Sequence, residues 1–471
     1  MNRKEFVKLG LALPLLNLYS KHVRGMEQML PTVKDDFVWG VSTAAYQIEG
    51  GYNADGKGLS IWDEFVKIKG KIKNGDTGNV ACNFYDLYEN DIELLKLLKI
   101  PAFRLSLSWP RIFPNGIGTS NKKGVDFYHK VIDKCLKNDI TPWITLYHWD
   151  LPNDLELKGG WTNRDIVSWF GDYVDFCTTE YGDKVKNWMV LNEPLSFTGA
   201  GYFLGLHAPG KKGIKNFLAA AHHAALCNAT GGVIAKKNVT DGNIGTTLSC
   251  SWIEARSKTS KDVKAAKRYD AIINRFFTEP LIGLGYPIDT IPSLKKIHDY
   301  YKPGDETKLQ FDFDFLGIQN YTREIVKHSI KMPIVWGKTI PPEKRSVDFT
   351  ANDWEVYPEG IYKLLQKFDA YKKFKKFYIT ENGASFKDVI SDGKINDTKR
   401  TEYLKSYIKS VLKAKEDGIN VKGYFVWSFL DNFEWAEGYD QRFGLVYVDY
   451  LTQKRTIKDS GLWFSKYIAG F

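Results

Sequence analysis

Two glutamates in this chain end apolar runs, Glu193 in "NWMVLNEP" and Glu381 in "KKFYITENGASF", and each has an asparagine beside it. A carboxylate in that position has a bland explanation. Asn382-Gly383 favours a turn, and a charged residue beside a turn simply faces water. The alternative is chemical. Two carboxyls brought face to face, with no metal ligands around them, suit cleavage of a glycosidic bond: one donates a proton while the other meets an oxocarbenium-like carbon. Metal-assisted hydrolysis would need a His/Asp cluster, and His148, His207, His222 and His223 are dispersed, although spacing alone leaves that alternative open.

The elements that must position such residues recur along the chain. Eight short β-rich apolar runs are "FVWGVSTAA" (37–45), "AFRLSLSW" (102–109), "PWITLYHW" (142–149), "NWMVLNE" (187–193), "NIGTTLSCSW" (243–252), "FDFLGIQNY" (313–321), "FYITENG" (377–383) and "VKGYFVWSFLDN" (421–432). Helical patterns lie between them, among them 88–100, 124–140 and 398–419, the last with Gly418 as its stop. No linker or repeat interrupts residues 34–471, which read as one domain. Strands alternating with helices eight times predict an α/β fold, a single-domain (β/α)8 TIM barrel with elaborated βα loops. An open doubly wound sheet fits less well, because no Gly-rich phosphate loop follows any strand. Barrels carry their chemistry at the carboxyl ends of strands. There stand Gln47 after the first run, Arg104 along the second, His148 after the third, and Asn192 with Glu193 at the end of the fourth. Tyr321, Glu381 and Trp427 end the sixth, seventh and eighth. Ends of the fourth and seventh strands face each other across the mouth. Seven such placements are too many for turns alone.

Bulk properties narrow the class. With 43% hydrophobic and 26% charged residues, the 471-residue chain is globular rather than disordered. Its 14 Trp, 26 Tyr and 28 Phe supply either a large core or flat faces on which a pyranose ring packs. The net charge of +10 is scattered, "KKFKKF" being its densest cluster, so it describes a solvated basic surface and implies no nucleic-acid partner. Cys82, Cys135, Cys177, Cys227 and Cys250 are widely spaced and odd in number, which implies buried thiols and neither a disulfide framework nor a metal site. At the N-terminus, Arg3 and Lys4 precede an apolar run from Leu9 to Leu18, too short to span a bilayer. Residues 1–25 read as a signal peptide of twin-arginine or Sec type, with export to the periplasm or beyond; an amphipathic helix on a cytoplasmic protein is the alternative.

In order and spacing, "FVWGVSTAAYQIEGGYNADGKGLSIWDEF", "FRLSLSWPRIFPNG", "LYHWDLP", "NWMVLNEP", "YITENG" and "VWSFLDNFEWAEGYDQRFGLVYVDY" resemble glycoside hydrolase family 1, the β-glucosidase family, from residue 34 to the end. The resemblance implies a retaining enzyme that removes terminal non-reducing β-D-glucosyl residues from β-glucosides or short β-glucan oligosaccharides by double displacement, with no cofactor and no metal. Carried over residue by residue, Glu381 is the nucleophile and Glu193 the acid/base. Arg104 would then favour the ionised form of Glu381, Tyr321 would donate to it, and the charge of Glu381 would raise the pKa of Glu193. Gln47, His148, Asn192 and Glu434 would hold the sugar hydroxyls, Trp427 would floor the ring, Trp435 would also touch it, and Trp354 would lie on the aglycone side. A non-catalytic sugar-binding relative would have lost a carboxylate; a transglycosidase would use the same residues and differ in which acceptor beats water. The chain departs from the family pattern at Asn83-Phe84, in a segment read as structural, and at "GIQNYT", where a slip of one residue would take Tyr321 away from Glu381.

Overall fold

In a computed structural model that describes residues 36–332 and 334–470, the chain forms β1 (Val38–Ser42), β2 (Ala102–Ser106), β3 (Thr141–Tyr147), β4 (Asn187–Asn192), β5 (Asn243–Ser249), β6 (Trp252–Ala255), β7 (Phe315–Gln319), β8 (Arg323–His328), β9 (Gly337–Thr339), β10 (Phe377–Asn382) and β11 (Val421–Trp427). Eight of these close into a parallel barrel in the order β1-β11-β10-β7-β5-β4-β3-β2, and β6, β8 and β9 make a small separate sheet. Each of the eight apolar runs contains one barrel strand, so the expected (β/α)8 barrel is the fold found. Helices Phe84–Leu97, Lys122–Lys137 and Thr398–Glu416 fall within a few residues of the periodic patterns. The signal-peptide expectation for 1–25 lies outside the described residues.

The barrel floor explains why some strands carry glycine. Trp143, Phe315, Tyr378 and Phe425 point inward with Ala102 and Met189 and form one buried cluster, with Trp143 4.8 Å from Tyr378 and 5.1 Å from Phe425 between ring centroids. Rings of this size leave no room on the neighbouring strand: a Cβ on Gly245 would sit 2.4 Å from Phe315. The aromatic plug closes the bottom, so polar side chains further along the same inward faces gather above it, at the carboxyl ends.

At the departure noted above, Asn83 adopts φ 49°, a left-handed conformation that asparagine tolerates better than most residues, and precedes the helix Phe84–Leu97 without a capping bond from its side chain. Phe84 is buried with its ring 6.2 Å from that of Phe103, so the segment packs the helix on the barrel. Among the described residues no helix is long and apolar enough to cross a membrane. All five cysteines are buried and free.

Candidate active site

Strict alternation carries two polar residues and one aromatic into the barrel mouth. Arg104 follows Ala102 by two positions, Gln319 follows Phe315 by four, and Trp427 follows Phe425 by two, so each shares the inward face of a floor residue. Glu381 breaks this rule. It lies three positions after inward Tyr378, an odd step that would turn it toward the helices. The pairing of β10 shifts register between Ile379 and Glu381 against β7, and again between Ile379 and Asn382 against β11. That irregularity re-aims the glutamate inward. A similar shift between Met189 and Asn192 in β4 precedes the other glutamate.

Asn382, the next residue, faces outward, donating to the Asn320 carbonyl at 2.6 Å and accepting from the Tyr424 hydroxyl at 2.5 Å. Gly383 serves close approach rather than a turn: a Cβ there would lie 1.7 Å from the Trp427 carbonyl oxygen. The turn explanation of "ENG" fails on both residues.

Three donors converge on Glu381. The Arg104 guanidinium reaches Oε1 at 2.5 Å, the Gln319 amide reaches the same oxygen at 2.8 Å, and the Tyr321 hydroxyl donates to Oε2 at 2.6 Å. The one-residue slip does not occur. Arg104 is wholly buried and spends its remaining donors on Asn192 Oδ1 at 2.6 Å, Thr145 Oγ1 at 3.1 Å and the Thr380 carbonyl at 3.3 Å. Burial pushes the Glu381 carboxyl above its ordinary value, while Arg104 and Tyr321 pull it down. Gln319 was not among the residues expected at the site. It belongs to the "GIQNYT" departure, and its position four residues after an inward aromatic was the available signal.

Glu193 has a different environment. It stands at φ 45°, between β4 and the short helix Pro194–Thr198, and its backbone N–H donates to the Thr247 carbonyl at 3.0 Å. Burial first, and the charge of Glu381 second, push its carboxyl up to about 8, against the hydroxyls of Ser196 and Ser249 and the more distant Arg104. The expected cause, Glu381, is thus present but subordinate to burial.

A cavity of about 1030 Å³ opens over both carboxyls, and His148, Asn192, Tyr321, Trp354, Trp427, Glu434 and Trp435 line it. His148 Nε2 pairs with the Asn192 amide at 3.0 Å, and Nδ1 is buried without a partner among the described residues. Burial and Arg104 depress the imidazole well below its usual range, so it is neutral. Its ring stacks 6.0 Å from Trp427 and 5.9 Å from Trp435. Burial raises Glu434 to about 8, with Glu381 adding to the push. Gln47 and Arg104 lie behind this wall rather than on it. Gln47 donates to Asn432 Oδ1 and the Phe433 carbonyl, both at 2.9 Å, and to Glu434 at 3.3 Å, while its Oε1 has no partner among the described residues. Trp354 packs 5.1 Å from Tyr321. Among the described residues no group of three or more His, Cys, Asp or Glu side chains is arranged to hold a metal ion.

Comparison with known proteins finds relatives along most of the chain. The family model described as glycosyl hydrolase family 1 matches residues 29–470. Beta-glucosidase A of Thermotoga maritima is 44% identical over 437 residues, 92% of this chain and 97% of that protein. A 1,4-beta-D-glucan glucohydrolase of Thermotoga neapolitana is 43% identical over 436 residues, 92% of this chain and 97% of that one. The solved structure of a Thermotoga maritima beta-glucosidase in complex with glucoimidazole is similar with a TM-score of 0.88 at 43% identity, covering 93% of this chain and 99% of that one.

Proposed function

The chain belongs to glycosyl hydrolase family 1, and from that premise we propose a retaining β-glucosidase in which Glu381 is the nucleophile and Glu193 the acid/base. The asymmetry between the two carboxyls carries the assignment. Glu381 accepts three hydrogen bonds, one from a buried guanidinium, which favour its ionised form. Glu193 has no ion-pair partner among the described residues and is pushed up to about 8, so at neutral pH it carries the proton that a leaving group needs.

In the first step Glu381 attacks the anomeric carbon while Glu193 protonates the glycosidic oxygen, and the aglycone leaves. The ester formed on Glu381 has no charge. The Coulombic push on Glu193 disappears with it, the carboxyl falls toward its ordinary value, and it can accept a proton from the attacking water. His148, Asn192 and Glu434 face the sugar with polar groups, and Trp427 and Trp435 offer it flat surfaces. The similarity to a 1,4-beta-D-glucan glucohydrolase supports short β-glucan oligosaccharides as substrates beside simple β-glucosides, and a place in polysaccharide breakdown. Export through residues 1–25 belongs to the same reading and rests on the basic start and the short apolar run.

The test is chemical rescue. Glu381→Ala should abolish turnover, and azide should restore it with an α-glycosyl azide as product. Glu193→Ala should keep the first step on substrates with good leaving groups and yield the β-azide. Azide products of the opposite configuration would overturn the assignment.

A further inference from the structure

Beyond the barrel strands the cleft is continued by apolar side chains: Phe217 of the helix Ile214–Asn238, Ile272, Ile273, Leu294, and Val335 of the segment between β8 and β9. One carboxyl stands in the same wall. Alternation along β8 sends Arg323 to one face, where it pairs with Glu254 and Glu355, and Glu324 to the other, where it lines the cavity. The neighbouring cations are already committed, because Glu355 takes Arg323 through two bonds of 2.8 Å and Arg345 through another. The Glu324 carboxyl has no hydrogen bond or ion pair among the described residues, its backbone alone being paired, in register with Ile253 of β6. Its charged and titratable neighbours are Arg345, which lowers its carboxyl, Glu355, which raises it, and Tyr269; burial dominates and lifts it to about 7. No Lys or Arg is among the described residues lining the cavity.

A half-buried carboxyl beside apolar side chains, with no donor from the described residues, is left to pair with solvent in the cleft, so a ligand that displaces that solvent binds best if it brings a donor of its own. We propose that Glu324 selects the leaving group, favouring β-glucosides whose apolar aglycone carries a primary ammonium group at the end remote from the sugar. The apolar wall would cover the body of such an aglycone, and the ammonium would donate to Glu324. This rests on the β-glucosidase reading above and names the substrate class that the far part of its cleft fits.

The experiment compares kcat/KM for ω-aminoalkyl β-glucosides with that for alkyl β-glucosides of the same length, across a series of lengths, near pH 8, above the Glu324 value of about 7. The ratio is internal, so a general change in activity cancels. At the best length the wild type should prefer the ammonium substrate by about tenfold, and Glu324→Gln should bring the ratio close to one. As a check that needs no variant, ω-carboxyalkyl β-glucosides should be worse than the alkyl ones in the wild type. A ratio near one at every length, or a preference that survives Glu324→Gln, would overturn the proposal. Failure of the wild type to cleave nitrophenyl β-glucoside would instead strike the β-glucosidase reading itself.

Discussion

Tyr321→Phe isolates one of the three donors on Glu381. Arg104 and Gln319 both reach Oε1, whereas the Tyr321 hydroxyl, at 2.6 Å, is the donor to Oε2 among the described residues. The substitution keeps the ring that packs against Trp354 and removes only the hydroxyl. A hydrogen bond to a charged group contributes about 1.5–3 kcal/mol, and one pKa unit corresponds to about 1.36 kcal/mol. Losing the donor should therefore raise the pKa of Glu381 by about one to two units. The sign follows from which form is active. Burial already holds Glu381 above its ordinary value, and Tyr321 opposes that push by favouring the charged form. Without it the carboxylate is protonated at a higher pH, so the acidic limb of kcat/KM moves up. The basic limb, where Glu193 loses its proton near 8, should stay where it is. The pH profile on nitrophenyl β-glucoside, variant against wild type, reads both limbs at once. An acidic limb that stays put or moves down would refute the reasoning, as would a shift confined to the basic limb.

A phosphate on O6 of the sugar would add about two negative charges to a cleft lined by Glu193, Glu324, Glu381, Glu434 and Glu437 with no Lys or Arg among its described lining residues. Nitrophenyl β-glucoside should therefore exceed its 6-phosphate in kcat/KM by orders of magnitude, and a preference for the phosphorylated sugar would mean the pocket is misread. Gly383→Ala would put a Cβ 1.7 Å from the Trp427 carbonyl, so the end of β10 and the start of the β11 loop must separate. Overpacking of this kind costs about 1–3 kcal/mol, to be read as a lower Tm together with a fall in kcat, because Glu381 and Trp427 both move; an unchanged Tm would contradict the close approach. If residues 1–25 are removed on export, intact mass of the native protein should show a chain beginning shortly after Gly25 and fully active, and one still starting at Met1 would exclude it.

Local pattern alone determined much of this protein. Eight apolar runs alternating with helical periodicity specify a parallel barrel, because each strand buries both faces and each crossover needs a helix to cover it. The runs also locate the candidate site, since barrel geometry gathers whatever stands at their carboxyl ends; that Glu193, Tyr321, Glu381 and Trp427 share one cavity was legible for that reason. What the sequence did not contain was direction. A period of two from Tyr378 sends Glu381 outward, and only a register shift against two neighbouring strands turns it in; that shift is set by pairing between segments more than 40 residues apart in the chain. Gln319 was overlooked for a related reason: nothing within "GIQNYT" says that its amide will meet a carboxylate 62 positions away. The high pKa of Glu193 is likewise a tertiary property. Its largest cause is burial, and burial depends on every loop that closes over the barrel mouth, whereas the facing charge of Glu381, which the sequence did supply, is the smaller contribution.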